Sequence, residues 1–180
     1  MESSPASSRA VDLAETRQFK IVMEGVLRIP TGLSMRQRIA RGEYHRVDPL
    51  IRRRPFRTTV PCRYDGHTWI RHAVVDVPFK VFLYECYIKS LRQVRLDIGR
   101  EGCSPGTLAE LLVLGETHPE LQLMFPIPAS GVVSGAGMLD DPFMIPVLCK
   151  SEEGDRELHL VQLLICWAPG NGFLGVDRPF

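Results

Sequence analysis

No stretch of this 180-residue sequence approaches the roughly 18 consecutive apolar residues that a membrane-crossing helix needs, and no basic region followed by an apolar core opens it. Neither a spanning helix nor a secretory signal is expected. Glu2 stands where N-myristoylation requires glycine, and Arg178-Pro179-Phe180 is no prenylation signal, so any membrane association is expected to be peripheral.

Paired-cysteine motifs are missing too. Cys62, Cys86, Cys103, Cys149 and Cys166 are odd in number and widely spaced, with no CxxC and no histidine nearby at ligand spacing. They read as reduced thiols, with Cys86 and Cys166 as small hydrophobes inside apolar runs, which favours a cytosolic or nuclear setting. Catalytic signatures are equally scarce. Ser104 and Ser130 lack the GxSxG context that exposes a nucleophilic serine, and the glycines of 131–137 form neither a lysine-bearing phosphate loop nor a GxGxxG turn. His67 and His72 flank Trp69, but a five-residue separation does not stack two imidazoles on one helical face, so a polar turn explains them. These absences predict a protein that is not an enzyme and carries neither a metal nor a cofactor.

Lysine is the last scarcity: arginine supplies 18 of the 22 basic residues. That preference suits planar, bidentate contacts with phosphate or carboxylate, and it equally suits a GC-rich genome. What the sequence does possess is a charge asymmetry that its net +1 conceals. Residues 1–100 hold 19 Lys+Arg against 10 Asp+Glu, whereas residues 101–180 hold 3 against 11. Ten arginines fall between Arg36 and Arg71, with Tyr44, Phe56, Tyr64 and Trp69 among them. On a shared surface they would attract phosphates with a marked salt dependence, while the aromatics could stack on bases or enter a lipid interface. Alternatively, some of them pair with the acidic half of the same chain.

The patterning predicts a single α+β domain over 17–180, a mostly antiparallel sheet with a few helices, behind a flexible Ser/Pro/Ala-rich arm over 1–16. Phe19, Ile21, Met23, Leu27 and Ile29 alternate with Lys20, Glu24 and Arg28 as one half-buried strand. Ser34 caps a short helix that would show Arg36, Arg38 and Arg41 to solvent. A long basic loop follows from 42 to 66, broken by Pro49, Pro55 and Pro61. The spacing of Phe79, Phe82, Leu83, Cys86, Ser90, Leu91 and Val94 predicts the main helix, opening near Asp76 and Pro78 and supported by a Glu85–Lys89 pair. Residues 107–114 are left open between helix and strand. Strands are expected over 121–127, 143–148 and 158–167, the last apolar on both faces and joined to its predecessor by the acidic turn 150–155.

This order of elements resembles the matrix proteins of rhabdoviruses, virion proteins that link the nucleocapsid to the envelope. The features that carry the resemblance are the strand Phe19–Ile29, Trp69 followed by Pro78-Phe79-Lys80-Val81-Phe82-Leu83-Tyr84, and the late apolar run ending in Cys166-Trp167. It is a pattern of elements without matched functional residues, and Ser3-Ser4-Pro5-Ala6-Ser7 is neither of the late-budding motifs PPxY and PTAP. The resemblance implies a virion and host-cell location, a nucleocapsid or other nucleoprotein as partner, and an anionic membrane surface as a second one.

Together these readings predict a structural protein that self-assembles head to tail and bridges a nucleoprotein to a membrane. A nucleic-acid-binding or host-modulating protein that uses the same arginines is the alternative. The expected polyanion-binding residues are Arg36, Arg38, Arg41, Arg52, Arg53, Arg54, Arg57 and Arg63. The expected self-association residues are Asp140, Asp141, Glu152, Glu153 and Asp155. Oppositely charged surfaces on different sides of one molecule favour such heterologous stacking.

Overall fold

A computed structural model describes residues 18–53, 62–64, 69–71, 74–131, 144–162 and 166–178. The arm expected over 1–16 lies outside these residues, as do Arg54, Arg57, Asp140 and Asp141. The described residues form an α+β fold with five helices, two four-stranded sheets and a separate hairpin.

The first sheet has the order β1 (Phe19–Pro30), β5 (Val74–Tyr84), β10 (Asn171–Val176), β6 (Ser104–Pro105), every pairing antiparallel. The second has the order β2 (Arg46–Val47), β9 (Arg156–Gln162), β8 (Met144–Lys150), β7 (Ile127–Pro128), and only its β2–β9 pairing is parallel. The hairpin pairs β3 (Cys62–Tyr64) with β4 (Trp69–Arg71). The helices are α1 (Met35–Arg41), α2 (Pro49–Arg53), α3 (Leu91–Arg100), α4 (Leu108–Thr117) and α5 (Leu121–Met124).

The helix predicted from Asp76 onward is instead strand β5, and helix begins only at Leu91. Valines 74, 75, 77 and 81 with Phe79, Phe82 and Tyr84 fit a pleated surface better than a helix, and burial on both sides of a central strand mimics helical spacing. Pro78 is tolerated there because its carbonyl accepts from Asp177 N, just past the end of β10. In an antiparallel strand the N–H and C=O of one residue point the same way, so the missing donor removes no bond to β1. With the helix gone, Glu85 pairs with Lys20 at 2.6 Å and not with Lys89. Residues 121–127 likewise form the turn of helix α5 and a two-residue strand, where one longer strand was expected. The loop predicted over 42–66 contains β2, α2 and β3.

Strand β1 contains a bulge that the simple alternation missed. Ile21 pairs with Phe82 while Met23 pairs with Val81, so two steps on β1 match one on β5. An extra residue flips the face of everything beyond it. Phe19 and Ile21 therefore pack with Phe82 and Tyr84 in one apolar cluster, whereas Met23, Leu27 and Ile29 pack with Val77, Phe79 and Val81 in another.

That second group belongs to the larger core, where α4 is buried from Leu108 to Gly115 among β1, β8, β9 and α1 residues. The smaller cluster joins Phe82, Tyr84 and Phe173 to Ile145 and Val147 of β8 and to Leu91, Val94 and Ile98 of α3. A buried polar contact fixes α3: the Tyr84 hydroxyl donates to Asp97 Oδ2 at 3.0 Å and Gln93 Nε2 donates to Oδ1 at 2.8 Å. Asp97→Ala would strand the buried hydroxyl, and a loss of about 1–3 kcal/mol in urea unfolding is expected. A loss below about 0.5 kcal/mol would mean that the tyrosine finds another partner within the range of ordinary surface substitutions.

Candidate polyanion interface

The arginine-rich segment 34–53 is a capped helix, a short strand and a second short helix laid against the larger core. Ser34 opens α1 with a reciprocal cap: Gln37 N donates to its Oγ and Ser34 N donates to Gln37 Oε1. Asp48 then accepts from Leu50 N at 2.8 Å, with Pro49 as the first residue of α2. Ile39, Tyr44, Val47 and Ile51 are buried, which holds the segment down. Arg36, Arg41, His45, Arg46 and Arg52 are exposed.

Arg38 departs from expectation. It is only 2% exposed, and its Nη2 donates to the Pro30 carbonyl at the end of β1. On a helix the inward stripe of Met35 and Ile39 also passes through position 38. Burial pulls the guanidinium pKa down, against the opposing pull of Glu116. Arg38 is therefore a core residue and not a ligand for an external polyanion. Arg41 is exposed but lies 3.6 Å from Glu116 of α4.

The other expected residues divide as follows. Arg52 is exposed near the end of α2, Arg53 ends that helix, and Arg63 lies in β3 opposite Ile70. Glu152, Glu153 and Asp155 lie in the exposed turn between β8 and β9, as the acidic turn was predicted to do. Ser151 shapes it, its Oγ accepting from Glu153 N at 3.1 Å and Asp155 N at 3.2 Å. Hydrogen bonding from Ser151 also holds the Glu153 carboxyl below its ordinary range.

The basic segment and the acidic turn are neighbours. Arg46 pairs in register with Glu157, His45 N donates to the Arg156 carbonyl at 2.8 Å, and His45 Nε2 is 3.8 Å from Asp155 Oδ2. With Arg41 beside Glu116 as well, part of the charge asymmetry is used within the chain. The seam is reinforced beneath the surface by Arg156, whose guanidinium lies 5.2 Å from the Tyr44 ring centroid and donates to the Gly115 carbonyl. A side chain at 115 would collide with the Tyr44 hydroxyl, so the close approach requires glycine. Burial raises the Tyr44 phenol pKa, opposed by Arg156.

One further group of chemically active side chains emerges only from strand pairing. Cys149 pairs with Glu157 across β8 and β9, and His159 follows Glu157 on the same side of β9. Among the described residues, this is the group of three whose donor atoms could share a metal ion, all lying within 4.8 Å of one another. Glu157 Oε2 is 2.6 Å from His159 Nε2, while burial and the Glu157 charge push the Cys149 thiol up to about 11. The spacing of residues 149, 157 and 159 along the sequence matches no familiar metal motif, and a hairpin register was needed to find the group.

No protein-family model, no curated protein and no solved structure matches this chain.

Proposed function

We propose that this protein is a non-enzymatic, matrix-type assembly protein of a virion and its host cell, gripping an anionic nucleoprotein or membrane surface with the exposed arginines of 34–53. The observation that supports this reading is the two-sided character of the segment. Ile39, Tyr44, Val47 and Ile51 anchor it, while Arg36, Arg46 and Arg52 remain exposed on the anchored backbone. A charged strip held by a packed core loses little conformational freedom when it binds. The described residues contain no helix long and apolar enough to cross a membrane; on this reading the arginines would attract a bilayer through its anionic headgroups.

Self-assembly would use the neighbouring turn. Glu152 and Glu153 are exposed beside the basic segment and not across the molecule from it, as the expected head-to-tail stacking would need, so they would meet the arginines of another copy in a reciprocal contact. Light scattering at two salt concentrations tests this. Oligomers that grow at low salt and dissolve at high salt are expected, and a strictly monomeric protein at high concentration and low salt would overturn the assembly reading.

The arginines are tested separately. Arg36→Glu, Arg46→Glu and Arg52→Glu combined should weaken binding to single-stranded RNA and flatten its dependence on log salt by about 2, since each lost phosphate contact removes about 0.7. Unchanged affinity and slope would rule out this strip. RNA binding by a protein that stays monomeric would favour the alternative, a nucleic-acid-binding or host-modulating protein.

A further inference from the structure

We propose that Cys149, Glu157 and His159 form a binding site for a divalent transition metal of the zinc class. The inference rests first on chemistry. One thiol sulfur, one carboxylate oxygen and one imidazole nitrogen are the three donor types that zinc takes, at bond lengths of about 2.0–2.3 Å. Tetrahedral bonds of that length place donor atoms about 3.3–3.8 Å apart. The three donors already lie within 4.8 Å of one another, so side-chain adjustments of about an ångström suffice, without moving the strands.

Position is the second support. The donors come from two strands joined over seven residue pairs, from Met144 opposite Gln162 to Lys150 opposite Arg156. Gln122 Nε2 also donates to the Cys149 carbonyl at 2.8 Å, and Oε1 of the same buried amide has no hydrogen-bond partner. The backbone beneath the site is thus held by a side chain as well as by the ladder. The Glu157 side chain is 12% exposed and that of His159 33% exposed, which leaves the group partly dry yet reachable from solvent.

A nucleophilic reading fits less well. A reactive cysteine needs a thiol pKa pulled down by a cation or helix N-terminus, and burial beside Glu157 pushes this one up. A metal cation reverses that balance. It displaces the thiol proton, and its two positive charges offset the Glu157 carboxylate and the thiolate left behind. Three protein donors leave a fourth position for water or for a donor from another molecule.

Cobalt(II) is the first probe, added to the full chain. One equivalent should produce a thiolate-to-cobalt charge-transfer band. Cys149→Ser should abolish the band, and His159→Gln should weaken cobalt binding at least about tenfold. Absence of the band in the unmutated chain, or its persistence in Cys149→Ser, would overturn the site. The second measurement needs no variant and so remains decisive even where a substitution disturbs folding. Alkylation of Cys149 by iodoacetamide, followed by mass spectrometry, should slow at least about tenfold when zinc is added. Equal rates with and without zinc would mean that the cluster is an ordinary Glu–His hydrogen bond beside a half-buried thiol.

Discussion

Replacement of Glu110 by alanine is expected to lower the unfolding free energy by about 3–5 kcal/mol, the usual cost of breaking a buried ion pair from one side. The Glu110 carboxylate lies in the first turn of α4 and is almost entirely buried. It accepts from Thr107 N at 2.7 Å and Thr107 Oγ1 at 3.0 Å, and from Arg178 Nε at 2.9 Å and Nη2 at 2.8 Å. One side chain therefore caps the most buried helix and anchors the chain just beyond β10. Removing it leaves the Arg178 guanidinium, whose side chain is 19% exposed, with only the Pro105 carbonyl among these acceptors. Arg178→Ala should cost less, because Thr107 and the helix N-terminus still stabilise the carboxylate. Urea unfolding of both single variants and the double variant measures the coupling. A Glu110→Ala loss below about 1 kcal/mol, the scale of a surface pair, would mean that solvent reaches the guanidinium and that the pair is not an anchor.

The same contact illustrates how the charge asymmetry is to be read. Arg178 is one of three basic residues beyond position 100, and it is committed to the core. Arg38, counted among the outward arginines from sequence, is committed as well. A long basic side chain reads as exposed by default because burying it uncompensated is so costly. Here a chain reversal brings the Pro30 carbonyl over α1, an arrangement that helical periodicity cannot reveal. The periodicity did contain the hint, since position 38 lies on the stripe of Met35 and Ile39.

The α+β class, the first strand, the Ser34 cap and the acidic hairpin turn were legible because each rests on local chemistry. The division into two sheets was not. A one-residue bulge near Val22 changes which side of the sheet Phe19 and Ile21 occupy, although the alternation along the sequence runs unbroken through it. Similarly, β5 is buried on both faces near its end, and such a strand presents apolar residues at spacings that a helix also satisfies. The Cys149–Glu157–His159 group depends on long-range register in the same way. Its members acquire a common neighbourhood only when β8 folds back on β9.

Phe79→Ala is expected to destabilise the protein by about 3–5 kcal/mol, the range for a buried aromatic truncation, because the surrounding structure has little with which to refill the space. Phe79 is 2% exposed, and its partner across β1 is Gly25. A Cβ built on Gly25 would stand 2.9 Å from Phe79 Cε1, so the ring occupies the place that a side chain at position 25 would take. The gap in the alternation between Met23 and Leu27 is thus filled from the neighbouring strand. Gly25→Ala should consequently cost about 1–3 kcal/mol through overpacking when Phe79 is present. In a Phe79→Ala background the same substitution should become neutral or stabilising, since it restores volume and removes the entropy cost of a glycine within a strand. A double-mutant cycle in urea should therefore give a coupling of about 1–3 kcal/mol. Additive losses would mean that the ring does not require the glycine, and the cause of the missing side chain would then lie elsewhere in β1.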